Sequence, residues 1–396
     1  MDNRWWESKK KIAMQFQERF DQRRFSEIHA PLLRLAFKWF WQQKDEVSLR
    51  KLRQMPLLQS SSGQITLRGP LRVFPIEYRI HCLAVAPDGM SFAVGGENTA
   101  IQIFEIMTGR LLFTLEGHED DVHALTITPD GRHLISGSRD TTIRWWDMKT
   151  GACLFIWPAH ESTVKALAIT PDGKKLVSGG YDKIVQIWST YSGKKIRRIQ
   201  GHKEFIECLD LNPNGIWIVS GGREQSFYLW SITGNSLNEG KRGNSWTQVA
   251  VFSPGSDRLF ISNLNQEAYL YIIKEKTDIE RLSDENYRLF EDYTFRKYRS
   301  YATAAAFSPD NRTLAIAFQN GSLMLSDVDH LCPIDEYKDI HPGGCTAVAF
   351  TPDFFFLLTA GEEGTVKIWE VQRTLEMLDQ EMRSEEHTSE LQSRQS

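Results

Sequence analysis

Histidine, serine, aspartate and tryptophan recur in the same order along this chain, and the first three are the ingredients of acid–base and nucleophilic chemistry. His118, Ser136, Asp140 and Trp146 make one such set, and His160, Ser178, Asp182 and Trp188 another. His202, Ser220, Glu224 and Trp230 follow, then His341, Thr359, Glu363 and Trp369. A serine beside a histidine base and a carboxylate is the constellation of a hydrolase. Its recurrence argues against that reading, because an active site is needed once. The chain has no H-E-x-x-H, no P-loop, no nucleophile elbow and no aspartate-rich calcium loop. Cys82, Cys153, Cys208, Cys332 and Cys345 contain no C-x-x-C pair and are odd in number, so neither a zinc site nor a disulfide framework is indicated. No catalytic residue, metal ligand or cofactor is therefore expected.

The elements that would position these residues follow from repetition. A turn signal, Pro-Asp-Gly or a near relative, places prolines at Pro87, Pro129, Pro171, Pro213, Pro254, Pro309 and Pro352. The gaps are 42, 42, 42, 41, 55 and 43 residues. That period matches four-stranded propeller blades. Within each unit the pattern alternates with period two: "VHALTITPDGRHLISGSRDTTIRWWDMKTGACLFIW" holds four short β-branched or aromatic runs separated by three turns. One such meander has two apolar faces and cannot bury both alone. Stacking the sheets radially buries them, and closing the ring removes most exposed edges. The fold class is all-β, a seven-bladed propeller of four-stranded antiparallel blades.

The residues also carry a resemblance. Gly117-His118, Gly201-His202, Trp146-Asp147 and the run "SGSRDTTIRWWD" look like WD repeats, a likeness that covers about residues 70–371. Blades two and three fit best. Blade one has Phe104, blade five Tyr271 and blade six Ser326 where the family has tryptophan, and those three also lack the histidine. The resemblance implies that the four sets are buried hydrogen-bonded relays tying strands within a blade, two of them with the longer glutamate in place of aspartate. It also resembles the family's closure by strand exchange. After the last turn signal only three strands follow, and "LRVF" (Leu71–Phe74) sits where the preceding blade's outer strand should be, so it is expected to complete blade seven. The PDG-rich central repeats resemble those of bacterial, especially cyanobacterial, WD-repeat proteins.

The family's partners often use the face carrying the fourth-to-first and second-to-third strand loops. Carried over, those positions bring Tyr181, Phe205, Trp246 and Tyr301 onto one arc, with Arg139, Lys165, Arg223 and Glu207 beside them. Aromatics next to arginine are the composition of protein-binding hot spots. A protein or peptide partner with apolar anchors and some acidic character would fit. A non-catalytic interaction scaffold is the leading reading; a regulatory or sensor module of a larger signalling protein and a propeller enzyme are the alternatives.

Charge bounds the partners. The 396 residues carry a net charge of −4, but residues 1–56 hold 13 Lys/Arg against 7 Asp/Glu. The rest is acidic, unlike a general nucleic-acid binder. Residues 1–56 are expected to be helical, with Ile12, Phe16 and Phe20 recurring every four residues and Pro31 opening a second helix around "LLRLAFKWFWQQ". This extension would dock on the propeller, associate with itself or a partner, or lie on a membrane surface. Residues 57–70 read as a linker and 71–372 as the propeller. The charged stretch "KEKTDIERLSDENYRLFEDYTFRKYR" accounts for the long gap in blade five. Residues 373–396 read as a tail, in which "RSEEHTSELQS" matches the in-frame translation of a common sequencing adapter, so 383–396 are taken as an assembly artefact. No run of about 18 apolar residues exists to span a bilayer, no secretory signal is recognisable, and the cysteine usage fits a reducing, cytoplasmic setting.

Overall fold

The computed structural model describes residues 65–234, 236–241, 245–273, 290–295, 300–328 and 333–373. The expected N-terminal helices, the blade-five insertion between Ile273 and Phe290, and the tail after Arg373 lie outside the described residues. The chain divides between Gly63 and Gln64, and the strands all belong to the second unit.

Among the described residues, 28 strands form seven four-stranded antiparallel sheets. The first strands of the blades are Ile80–Val85, Val122–Ile127, Val164–Ile169, Ile206–Leu211, Thr247–Phe252, Ala302–Phe307 and Cys345–Phe350. Each packs against the first strand of the next blade, and the seventh returns to the first, so these strands form the ring's inner wall. Second strands such as His133–Ser138 and Lys175–Gly180 are buried on both faces, whereas the fourth strand Cys153–Pro158 is largely exposed. Burial thus falls off outward, as expected for sheets stacked side by side.

Blades interlock through a glycine in the second strand. A Cβ at Gly95 would lie 2.7 Å from Val122 of the next blade, and one at Gly137 would lie 2.6 Å from Val164. The same relation holds between Gly179 and Ile206 and between Gly221 and Thr247. The glycine therefore makes room for a β-branched side chain from the neighbouring inner strand, at interior packing density.

Closure follows the expected strand exchange and extends further. The strand Ile65–Pro75 pairs antiparallel with Thr365–Arg373, with Val73 opposite Lys367 and Phe74 opposite Val366. Ile65, Phe74 and Ile76 are buried there. The expected linker 57–70 therefore ends earlier, because residues 65–70 already belong to the closing strand. Gly69-Pro70 occupies a register shift between Arg68 and Arg72. A strand at the outer edge of a blade tolerates a proline at such a bulge.

Candidate functional site

The four polar sets are assembled as relays. Trp146 Nε1 donates to Ser136 Oγ at 2.8 Å, Ser136 Oγ and His118 Nε2 lie 2.7 Å apart, and His118 Nδ1 lies 2.7 Å from Asp140 Oδ2. Every donor finds an acceptor when the imidazole proton sits on Nδ1 and the serine hydroxyl donates to Nε2. Blade three repeats this through Trp188, Ser178, His160 and Asp182, at 2.9, 2.8 and 2.8 Å.

The two glutamate sets close as well. Trp230, Ser220, His202 and Glu224 connect at 2.8, 2.6 and 2.5 Å, and Trp369, Thr359, His341 and Glu363 at 3.0, 2.8 and 2.5 Å. The glycine of the Gly-His pair has a packing reason, since a Cβ on Gly201 would lie 2.4 Å from the Trp230 ring. Burial alone would raise the Asp140 carboxyl, but hydrogen bonds from His118 and Thr142 hold it well below the usual carboxylate range. The hydroxyls of Ser136, Ser178, Ser220 and Thr359 are fully buried between an imidazole and an indole. In this arrangement the hydroxyls are closed to a substrate carbonyl, and each set links elements of one blade.

The second group of residues lies at one end of the ring. Antiparallel strands send alternate loops to opposite ends, so second-to-third and fourth-to-first loops share a face. Tyr181 follows the second strand of blade three and Phe205 precedes the first strand of blade four. Arg223 follows the second strand of blade four, and Trp246 precedes the first strand of blade five.

Their side chains meet. The Tyr181 and Phe205 rings stack at 4.9 Å between centroids and 14°. The Arg223 guanidinium lies over three rings, 5.2 Å from Tyr181, 5.3 Å from Phe205 and 5.3 Å from Trp246. Glu207 anchors it, accepting from Arg223 Nε at 2.6 Å and from Tyr181 Oη at 3.1 Å, with Lys165 Nζ 3.7 Å away. Burial and the Glu207 carboxylate push the Tyr181 phenol up to about 12, so it stays a donor. Hydrogen bonding to Glu207 raises the Arg223 pKa further. Two cations share one carboxylate here, which leaves the cluster positive. Trp246 is 41% exposed and presents its ring to solvent, whereas Tyr181 and Phe205 are half-buried.

Two expected members stand apart. Arg139 is paired with Asp120 at 3.6 Å and Asp121 at 3.8 Å. Tyr301 is half-buried, its carbonyl accepts from Gln319, and it joins no described contact of the arc. The arc is therefore narrower than the sequence implied and is centred on blades three to five.

A feature of which sequence reasoning named only Lys165 and Glu207 lies on the inner wall. In every blade the pairing of first and second strands shifts by one residue at the start of the first strand. The extra residues are His81, His123, Lys165, Glu207, Gln248, Thr303 and Thr346. A bulge re-aims a side chain, and these residues interact between neighbouring blades. His81 and His123 stack at 4.6 Å and 19°, and Thr303 Oγ1 donates to the Cys345 carbonyl at 2.6 Å. Burial, with the charge of Lys165, depresses His81 to about 4 and His123 to about 3. The repeated triplet with a polar middle residue at each inner-strand start was the available signal.

Comparison with known proteins accounts for the repeats. Residues 109–147, 151–189, 193–231 and 336–370 match the model of the WD domain, G-beta repeat. Each matched segment runs from the end of one blade through the third strand of the next, ending at or just beyond the relay tryptophan of blades two, three, four and seven. These are the four blades with complete relays. WD repeat-containing protein 1 of Mus musculus is 32% identical over 82 residues, a stretch spanning 20% of this chain and 13% of the mouse protein.

Proposed function

We propose that this seven-bladed ring with WD40 repeats is an interaction scaffold that binds a protein or peptide through the face bearing Tyr181, Phe205, Arg223 and Trp246. WD40 propellers commonly serve as such scaffolds. The observation that carries the reading is the Arg223 guanidinium shared by three aromatic rings, one of which, Trp246, stays exposed. A rigid aromatic platform beside fixed charge loses little conformational entropy on binding, which is what makes a hot spot. The positive balance of Lys165 and Arg223 over Glu207 favours a partner segment that carries a carboxylate next to an apolar anchor. The cysteine usage suits a cytoplasmic setting, and the repeat style resembles that of bacterial WD-repeat proteins. Position-specific crosslinking tests the assignment. A photo-crosslinking amino acid at position 246 should trap a partner, whereas the same group at the fully exposed Tyr191, on the opposite end of blade three, should not. Equal trapping from both positions would remove the face assignment.

A further inference from the structure

His81 and His123 belong to the bulges of blades one and two, and Asp121 immediately precedes the blade-two inner strand. A potential ligand atom from each of the three lies within 4.8 Å of the others. The two imidazoles stack face to face, and the Nδ1 of His123 is buried without a hydrogen-bond partner. A buried ring nitrogen left unpaired carries a desolvation cost. Nothing in the relays or the aromatic arc uses these residues.

We propose that His81, His123 and Asp121 form a binding site for a divalent metal ion of the imidazole-preferring class, such as Cu²⁺ or Zn²⁺. With bonds of about 2.1 Å, tetrahedral ligand atoms stand about 3.4 Å apart. Reaching that from the present spacing takes side-chain movements on the order of 1 Å and a turn of one imidazole out of the stack, since each nitrogen lone pair lies in its ring plane. The class of ion follows from the neighbours. Lys165 bears electrostatically on both histidines, Arg79, Glu97 and Glu362 on His81, and Arg139 on His123, while Arg139 is shared between Asp120 and Asp121. With one carboxylate among the three candidate ligands, the site disfavours hard ions such as Ca²⁺ and Mg²⁺, which need several oxygens. Two neutral imidazoles bind borderline ions through nitrogen, and that contribution is less dependent on local charge. Three protein ligands leave a further position for water. In sequence the two histidines are one blade period apart, at the same bulge position of consecutive repeats.

The test uses the full chain without a polyhistidine tag, titrated calorimetrically with Zn²⁺ and examined with Cu²⁺ by electron paramagnetic resonance. A single saturable site is expected, with a Cu²⁺ spectrum showing coupling to two imidazole nitrogens. His81→Ala and His123→Gln should each weaken binding at least tenfold, and Asp121→Asn by a smaller factor. Lys165→Gln should tighten it several-fold by removing a repelling charge, an effect that a variant with a damaged fold would not give. Excess Zn²⁺ should raise the melting temperature of the parent but not of His123→Gln. Absence of saturable binding by the parent overturns the proposal. Binding that survives both histidine substitutions also overturns it, since other residues then hold the ion.

Discussion

The guanidinium carbon of Arg223 lies 5.3 Å from the ring centroid of Trp246. Arg223 belongs to a turn of blade four and Trp246 to the approach to blade five, so the contact bridges two blades. The same guanidinium reaches Tyr181 of blade three through its ring and hydroxyl. One side chain thus holds aromatic groups from three neighbouring blades in a fixed arrangement. Glu207 keeps that side chain in place from the inner wall.

Ring closure makes a first prediction. Deleting residues 1–76 removes the strand that pairs with Thr365–Arg373 and exposes the contacts of Ile65, Phe74 and Ile76. Burying each such side chain stabilises by roughly 1.5–3 kcal/mol. This truncation should therefore be less stable than a chain lacking only 1–56 by about 5 kcal/mol or more. Urea melts of the two truncations check it, and coincident curves would remove the closing role of the strand. Phe74→Ala alone should cost about 3–5 kcal/mol.

The relays make a second. Asp140→Ala or Asp182→Ala leaves the buried His118 or His160 without its Nδ1 acceptor, at a cost of about 1–3 kcal/mol. Both carboxyls are held below their ordinary range despite burial, because the histidine and nearby donors favour the charged form. A depressed pKa in the folded state gives stability that is present above the unfolded value and lost as the pH falls. The difference between parent and variant should accordingly shrink in acid. Variants that melt like the parent yet lose a specific activity would show that the sets are functional and not structural.

A third prediction has the opposite sign. Asp210, on the inner strand of blade four, accepts the Phe252 and Leu211 amides, each at 2.8 Å. Burial nevertheless pushes its carboxyl up to about 6. A raised pKa means that the neutral acid suits the folded state, so its contribution is present below the ordinary carboxylate pKa and lost as the pH rises through about 6. Relative to Asp210→Asn, the parent should lose about 3 kcal/mol between roughly pH 4 and pH 7. A difference between the two proteins that does not change over that interval would contradict the burial argument.

These elements were unequally legible in the sequence. The prolines from Pro87 to Pro352 mark the blades because a tight turn needs the same residues wherever it recurs. Leu71–Phe74 was recognisable as a closing strand by counting, since the last blade lacked one. The first part of that strand, residues 65–70, reads as linker, because composition cannot tell a bulged edge strand from a linker. Tyr181, Phe205 and Arg223 were found through family positions that share a face. Arg139 satisfied the same rule, yet Asp120 and Asp121 hold it elsewhere. Side-chain partners, not loop membership, decide which residues meet. His81 and His123 share a position in consecutive repeats, but their side-chain contact is set by the packing of blade one on blade two.

The central claim is that the arc around Arg223 binds a partner, and comparative capture tests it most directly. The parent and a Tyr181→Ala, Arg223→Ala, Trp246→Ala triple variant, shown by circular dichroism and melting to be folded, would be used as baits in lysate of the source organism. The captured proteins would then be compared by quantitative mass spectrometry. The account predicts that a defined subset, enriched in the position-246 crosslinks, is retained by the parent and lost from the triple variant. An unchanged set of captured proteins would contradict the site.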